Sequence, residues 1–242
     1  MKIAIITSAP NMIENCIDSS ILRKAVKSSN VEIHVIDIRD FSDNNYKQID
    51  DTPFGGGDGM VLMARPLIKS IEASFKLLSC SPKDTHIVYP SPHGVKWNQE
   101  EVEKNIIVEN FIFICGRYKG VDQRVVDKYV THEYSIGDYV VSNGELSSLV
   151  MIDSIVRLSP GTLNNINSAK TDSFSSSLLD YPHYTKPRTI NGLSVPKVLL
   201  EGHHKKIKLW RKSKSEKVTK QKRPDLWKKY YKTINKMEFN HE

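Results

Sequence analysis

The order of strand-like and helix-like segments over the first 160 residues is the feature that most restricts the fold. Short apolar runs near residues 2–7, 31–35, 86–89 and 111–115 are separated by segments whose apolar residues recur every three or four positions. Two parallel strands are joined by a crossover of about a dozen or more residues, which is usually a helix. The sequence therefore predicts an α/β domain built on a mainly parallel sheet.

Local patterns predict the bounds of several elements. One helix is expected to begin at Pro10, with an apolar face that continues to Val26. Residues 90–94, which contain two prolines and a glycine, are expected to form a rigid turn after a strand. Apolar residues at helical spacing over residues 144–158, followed by Pro160, predict a strong amphipathic helix.

The composition changes in the C-terminal third of the chain. Residues 162–177 are rich in Asn, Ser and Thr, which predicts a linker between a domain of residues 1–161 and a small module of residues 178–242. The module is expected to be helical and without strands. Residues 203–242 carry a net charge of +10, whereas the whole chain carries +7. This basic region predicts an anionic polymer as partner, with a merely solvated basic helix as the alternative.

Membrane proteins and disulfide-rich proteins are excluded by the composition. No apolar run approaches the roughly 18–20 residues that a membrane span needs, so we expect no membrane association. The first apolar run is too short for a secretory signal, which favours a cytoplasmic protein. The three cysteines, Cys16, Cys80 and Cys115, lack the spacing of a zinc or disulfide framework. We expect Cys115, which ends an apolar run, to be a small buried hydrophobe.

Three loops with glycine or proline and few charges form the candidate binding site. They cover residues 89–94, 116–120 and 137–144, and the first two follow predicted strands. Ligands of parallel α/β sheets bind beyond the carboxyl ends of the strands. Loops of this composition suit an adenine ring and a ribose held by backbone groups, and no phosphate-binding glycine motif is present. Two ordinary strand-to-helix turns are the alternative interpretation.

Two charged residues are candidates for catalysis. Arg157 ends the apolar face of the helix at residues 144–158, and Asp172 lies beside Phe174 in the linker. An arginine on a helix and an aspartate in a linker could act as electrostatic stabiliser and general base, respectively. A surface arginine and a helix-capping aspartate are the alternative.

Five ordered motifs connect the chain to a known family. They are DDTPFGGGDGM at residues 50–60, YPSP at 89–92, CGRY at 115–118, SIGDYV at 135–140 and LDYPHYTKP at 179–187. With these motifs the chain resembles the bacterial tRNA (guanine-N1)-methyltransferase (TrmD) family of the SPOUT superfamily over almost its whole length.

The resemblance implies a fold and a cofactor. The expected fold is a SPOUT-type α/β domain with a mainly parallel sheet and a deep trefoil knot, followed by a small C-terminal helical domain. The knot is an exception to the rule that chains are unknotted. The three loops would form the knot and bind S-adenosylmethionine. The expected cofactor-binding residues are Tyr89, Ser91, Pro92, Gly116, Ile136, Gly137, Asp138, Tyr139, Val140, Val141 and Gly144. The resemblance also implies a homodimer whose active sites are shared between chains.

The resemblance further implies a substrate and two catalytic roles. The methyl acceptor would be N1 of the guanosine immediately 3′ of the anticodon in tRNA. Asp172 matches the general base of the family, and Arg157 matches the cation that stabilises charge on guanine O6. The basic C-terminal module would bind the tRNA backbone.

Some residues depart from the family pattern. Lys119 stands where a glutamate is usual, which reverses a charge beside the cofactor and leaves a requirement for Mg²⁺ open. Asn143 replaces a glycine, Phe54 a tyrosine and Asp58 a proline. Two alternatives to the tRNA guanine-N1 methyltransferase therefore stay open. One is a catalytically impaired tRNA-binding protein of the superfamily, and the other is a methyltransferase for another RNA base.

Overall fold

The chain is divided into two compact units, Met1–Asn164 and Asn165–Glu242. A computed structural model describes residues 1–28, 30–162, 172–174 and 176–239. The predicted linker at residues 162–177 lies largely outside the described residues. Within the described part of the chain, no helix is both long enough and apolar enough to cross a bilayer.

A five-stranded parallel sheet organises the first unit, in the order β2-β1-β6-β5-β7. The strands of this unit, with the short antiparallel pair β3 and β4, are β1 Lys2–Thr7, β2 Glu32–Asp37, β3 Asp50–Asp51, β4 Val61–Leu62, β5 Thr85–Lys96, β6 Asn110–Ile114 and β7 His132–Ser135. The prediction of an α/β domain with a mainly parallel sheet is confirmed.

Helices cover both faces of the sheet, as a parallel sheet requires. They are α1 Pro10–Ile17, α2 Ser20–Lys27, α3 Ala64–Leu78, α4 Gln99–Asn105, α5 Gln123–Tyr129 and α6 Gly144–Leu158. The side chains of β1 alternate between two cores: Ile3 and Ile5 lie with α6, whereas Ile6 lies with α3. Helix α6 has the predicted bounds.

The N-terminal helical segment differs from the prediction of one continuous helix. Helix α1 ends at Ile17 and α2 begins at Ser20. The hydroxyl of Ser19 donates a hydrogen bond to the carbonyl of Cys16 at 2.8 Å. Serine and aspartate side chains compete for backbone hydrogen bonds in this way, so Asp18 and Ser19 favour a break that hydrophobic periodicity alone does not show.

The predicted turn at residues 90–94 is wrong, because β5 continues through it. Pairing with β6 ends at Val88, and beyond that residue β5 pairs with β7 alone, with a register shift between Pro90 and Val95. A proline cannot donate to a strand ladder and is tolerated where one side is unpaired or at a bulge. The prolines therefore mark the place where the strand loses one neighbour rather than its end.

The second unit contains a hairpin as well as the expected helices. Its elements are β8 Thr189–Ile190, β9 Leu193–Ser194, α7 His204–Lys222 and α8 Pro224–Phe239. The expectation that this module contains no strands is wrong. Asn191 and Gly192, which join the two strands, both adopt left-handed conformations, with φ of 50° and 76°. An Asn-Gly pair in this conformation forms the two-residue turn that suits a hairpin.

Candidate functional site

The three segments predicted as loops, of which residues 89–94 belong to β5, meet around one cavity at the carboxyl end of the sheet, with a volume of about 190 Å³. Ten of the predicted cofactor-binding residues line it: Tyr89, Ser91, Pro92, Gly116, Ile136, Gly137, Tyr139, Val140, Val141 and Gly144. Asp138 is the predicted residue that is not part of this lining. Segments that are distant in sequence are thus brought together by the adjacency of β5, β6 and β7.

The aromatic ring of Tyr89 covers two glycines of the second loop. A Cβ atom added at Gly116 would lie 2.9 Å from the Tyr89 ring, and one at Gly120 would lie 3.2 Å from its hydroxyl oxygen. Burial raises the pKa of the Tyr89 phenol, and the nearby Glu133 carboxylate acts in the same direction. The uncharged side chain of Tyr89 therefore forms one wall of the cavity, and its position requires glycine at residues 116 and 120.

The second and third loops touch through their backbones. The amide of Gly144 donates a hydrogen bond to the carbonyl of Gly116 at 2.8 Å. A Cβ atom added at Gly144 would lie 2.5 Å from the backbone nitrogen of Gly116 and 3.0 Å from the carbonyl carbon of Cys115. Since these neighbours are backbone atoms, no side-chain rotation could relieve the overlap, and Gly144 is required for the close approach.

The third loop forms the outer edge of the cavity. Its Gly137 has a φ of +148°, and the amide of Gly137 donates a hydrogen bond to Ser135 Oγ at 3.2 Å. The hydroxyl of Tyr139 donates to the carbonyl of Ile136 at 3.3 Å. Tyr139 is 60% exposed and Val140 is 94% exposed, so this edge presents apolar surface to an incoming ligand.

A buried polar group lies behind the cavity, at the start of α6. Glu145 is fully buried, and its Oε1 accepts a hydrogen bond from the Thr7 hydroxyl at 2.5 Å. Burial, followed by the Glu145 charge, raises the pKa of the Cys115 thiol far above its usual value. The thiol therefore stays protonated, and the prediction that Cys115 is a buried hydrophobe is confirmed.

Both charged residues in the described part of the cavity lining are cations, Arg117 and Lys119. Between them, Tyr118 adopts a left-handed conformation with a φ of 57°. A hydrogen bond to Asp50, reinforced by burial, raises the pKa of the Tyr118 phenol. The lining thus combines apolar and backbone surfaces with positive charge.

The prediction missed further lining residues, namely Pro90, Arg117, Tyr118, Lys119, Gly120, Tyr134, Ser135, Ser142, Asn143 and Ser147. Most of them are neighbours of predicted residues within the same loops. The signal for Ser147 was its position three residues after Gly144 on α6, which places both on one face of a helix.

The two predicted catalytic residues belong to different units. Arg157 lies in the last turn of α6, on its exposed side, and Asp172 is half-buried in the short described segment at residues 172–174. Among the described residues, no group of three or more His, Cys, Asp or Glu side chains could hold a metal ion.

Comparison with known proteins connects this cavity to a family. The family model described as tRNA (Guanine-1)-methyltransferase TrmD matches residues 1–229. A tRNA (guanine-N(1)-)-methyltransferase of Clostridioides difficile is 44% identical over 95% of this chain and 98% of its own length. Proteins of the same name from Brevibacillus brevis and Christiangramia forsetii are each 46% identical, over 95% and 93% of this chain and 92% and 98% of their own lengths. The chain therefore belongs to the tRNA (guanine-N1)-methyltransferase family.

Proposed function

We propose that this chain transfers a methyl group from S-adenosylmethionine to N1 of the guanosine immediately 3′ of the anticodon in tRNA. The observation that carries the proposal is the cavity between β5, β6 and β7, lined by three loops of a chain that matches the family over residues 1–229. The first unit would hold the cofactor and the second would bind tRNA.

The cavity lining fits the parts of S-adenosylmethionine. Aliphatic side chains suited to the adenine ring are Pro92, Ile136, Val140 and Val141. Backbone amides and carbonyls of the glycine-containing loops suit the polar edges of the adenine and the ribose. When bound, the cofactor supplies an activated methyl group on its sulfonium.

Asp172 and Arg157 are the proposed catalytic residues. Guanine N1 carries a proton and is a nucleophile only after losing it, so the Asp172 carboxylate would accept the N1 proton. Loss of that proton places negative charge on O6, which the Arg157 guanidinium would stabilise. A well-placed general base contributes on the order of 10²- to 10⁴-fold to a rate.

We further propose that the loops form a deep trefoil knot. A chain that threads past itself needs backbone in contact with backbone, and two pairs of segments provide such contacts. One is the pair of Gly144 and Gly116. The other involves Gly94, where an added Cβ atom would lie 2.3 Å from the amide nitrogen of Tyr134.

The second unit has the chemistry of an RNA-binding surface. Residues 203–242 carry a net charge of +10, which favours contact with phosphates. Cations also lie over aromatic rings within this unit. The Arg211 guanidinium carbon is 4.8 Å from the centroid of the Tyr181 ring, and Lys214 Nζ is 5.6 Å from that of Trp210. Cations and aromatic rings together suit the phosphates and bases of an anticodon arm.

A homodimer is proposed from the exposed face of α6. Most of this helix is buried, yet Leu146 and Val150, four residues apart, are 43% and 51% exposed. Val95 on β5 is 61% exposed. An apolar stripe on a helix normally faces another element, and a second copy of the chain is the proposed cover.

Shared active sites predict recovery of activity in mixed dimers. Asp172→Ala chains would lack the base, and Gly137→Trp chains would have a blocked cavity, because even a Cβ atom at Gly137 would lie 2.5 Å from the Tyr139 ring. If Asp172 of one chain serves the cofactor of the other, each heterodimer contains one intact site. Purified heterodimers carrying two different tags should methylate tRNA while both homodimers stay inactive. No recovery in verified heterodimers would contradict the shared site.

The proposed substrate is tested with tRNA transcripts and S-adenosylmethionine labelled in its methyl group. We expect incorporation into a transcript with guanosine 3′ of the anticodon and none when that guanosine is replaced by adenosine, because adenine has an amino group in place of the O6 that Arg157 would stabilise and no N1–H to donate to Asp172. Equal incorporation into both transcripts would favour a methyltransferase for another base. No incorporation into either, together with retained tRNA binding, would favour the catalytically impaired protein.

A further inference from the structure

We infer that Lys119 binds the carboxylate of the methionine part of S-adenosylmethionine, so that this chain recognises the acidic end of its cofactor directly with a lysine side chain. The inference rests on the proposed function and assigns a binding residue within it. Its basis is the charge of the cavity lining together with the packing of the lysine side chain.

The charged side chains of the described cavity lining are cationic. Among the described residues, the lining includes the cations Arg117 and Lys119 and no carboxylate. S-adenosylmethionine carries one carboxylate, on its amino acid part. A carboxylate that enters a cavity whose charged side chains are all cationic gains a charge-assisted interaction, and such hydrogen bonds are about twice as strong as neutral ones.

The backbone of Lys119 is held in place from both sides. Its amide donates a hydrogen bond to the carbonyl of Met60 at 3.0 Å, and the amide of Gly120 donates to the carbonyl of Arg117 at 2.9 Å. A further backbone hydrogen bond, from the Leu62 amide to the Gly120 carbonyl, is also 3.0 Å long. The position from which the lysine side chain starts is therefore fixed relative to the cavity.

The aliphatic part of Lys119 packs against Gly59. A Cβ atom added at Gly59 would lie 3.0 Å from Lys119 Cγ and 3.2 Å from Cε. The side chain therefore runs along a position that has no side chain of its own. Lys119 as a whole is exposed, so its charged end is accessible to a ligand, and packing of the aliphatic stem reduces the conformational entropy that binding would otherwise cost.

No carboxylate in the described part of the chain forms an ion pair with this ammonium group. Other exposed lysines of the first unit form ion pairs, for example Lys104 with Glu101 at 2.8 Å. In the described part of the structure, no such pair includes Lys119. Its charge is thus available to a ligand without the loss of an internal ion pair.

The inference is tested by calorimetry with two ligands, S-adenosylmethionine and its decarboxylated form, which keeps the adenosine, the sulfonium and the amine. Lys119→Met should weaken S-adenosylmethionine binding about tenfold, which corresponds to about 1.4 kcal/mol. It should leave the affinity for the decarboxylated form unchanged, because the partner of the lysine is absent. Lys119→Arg, which keeps the charge, should retain most of the affinity.

Two comparison variants complete the experiment. Lys76→Met removes the same charge from an exposed site on α3 outside the lining, and its affinity for both ligands should match the unmodified protein. Arg117→Met tests the other cation of the cavity. Unchanged S-adenosylmethionine binding by Lys119→Met, equal losses for both ligands, or a ligand-selective loss confined to Arg117→Met would each overturn the inference. Failure of the unmodified protein to bind S-adenosylmethionine would overturn the proposed function first, and the inference with it.

Discussion

Replacement of Asp172 by alanine is expected to slow methyl transfer by about 10²- to 10⁴-fold, the range attributed to a positioned general base. The affinity for S-adenosylmethionine should stay nearly unchanged, because the proposed task of the carboxylate concerns the proton on guanine N1 and not the cofactor. Asp172→Asn should be equally slow, since an amide of the same shape cannot accept that proton at neutral pH.

The rate is best measured in a single turnover with saturating tRNA, and cofactor affinity is measured by calorimetry on the same preparations. Asp127→Ala is the matched control, because Asp127 is an exposed aspartate of α5 outside the cavity lining. Its rate should equal that of the unmodified protein. A large loss of cofactor affinity in Asp172→Ala would assign the residue to binding and contradict its role as a base.

Gly144→Ala is also expected to have a large effect, because it should lower both the stability to unfolding and the affinity for the cofactor. The new methyl group would lie 2.5 Å from the backbone nitrogen of Gly116, so two loops of the cavity must separate. Overpacking of this kind costs about 3 kcal/mol, at the upper end of the usual range, because backbone cannot rotate away. For a unit of this size, that cost corresponds to a fall of about 10 °C in the midpoint of thermal unfolding. Cofactor binding should become undetectable, because Gly116 and Gly144 both line the cavity.

Gly192→Ala is a suitable control for the second prediction. Gly192 has a φ of +76° and no atom within 4 Å of an added Cβ atom, so the change introduces backbone strain without a clash. We expect a destabilisation of about 1–2 kcal/mol in the second unit and no change in cofactor affinity. A Gly144→Ala protein with an unchanged midpoint and unchanged affinity would show that the close approach of the loops is dispensable.

Local sequence patterns predicted the elements whose determinants are local. Helix α6 has apolar residues at helical spacing and a proline after its end, and the structure gives it the predicted bounds. The break between α1 and α2 depends on hydrogen bonds from short polar side chains, which a hydrophobic pattern does not register. The course of β5 through Pro90 depends on which neighbour it pairs with at that residue, and pairing partners are not encoded in a local window.

The candidate site was predictable to the extent that its loops carry unusual composition. Glycine and proline identified the three loops, and the structure brings them to one cavity. The cations Arg117 and Lys119 were outside the predicted cofactor-binding set, because a charge in a loop is common and its place in the cavity lining depends on the folded structure. Glu145 shows the same limit: its burial and its hydrogen bond to Thr7 join residues that are far apart in sequence.

The strand order also sets when this molecule can acquire its cavity during synthesis. Strand β1 is made first, yet one of its two neighbours in the sheet is β6, which begins about a hundred residues later at Asn110. At a synthesis rate of about 5–20 residues per second, β1 waits roughly 5–20 s for that partner. The cavity needs still more chain, since Gly144 and Ser147 line it. A nascent chain that ends before Gly144 therefore cannot bind the cofactor in the proposed way, however much of the sheet it has already formed.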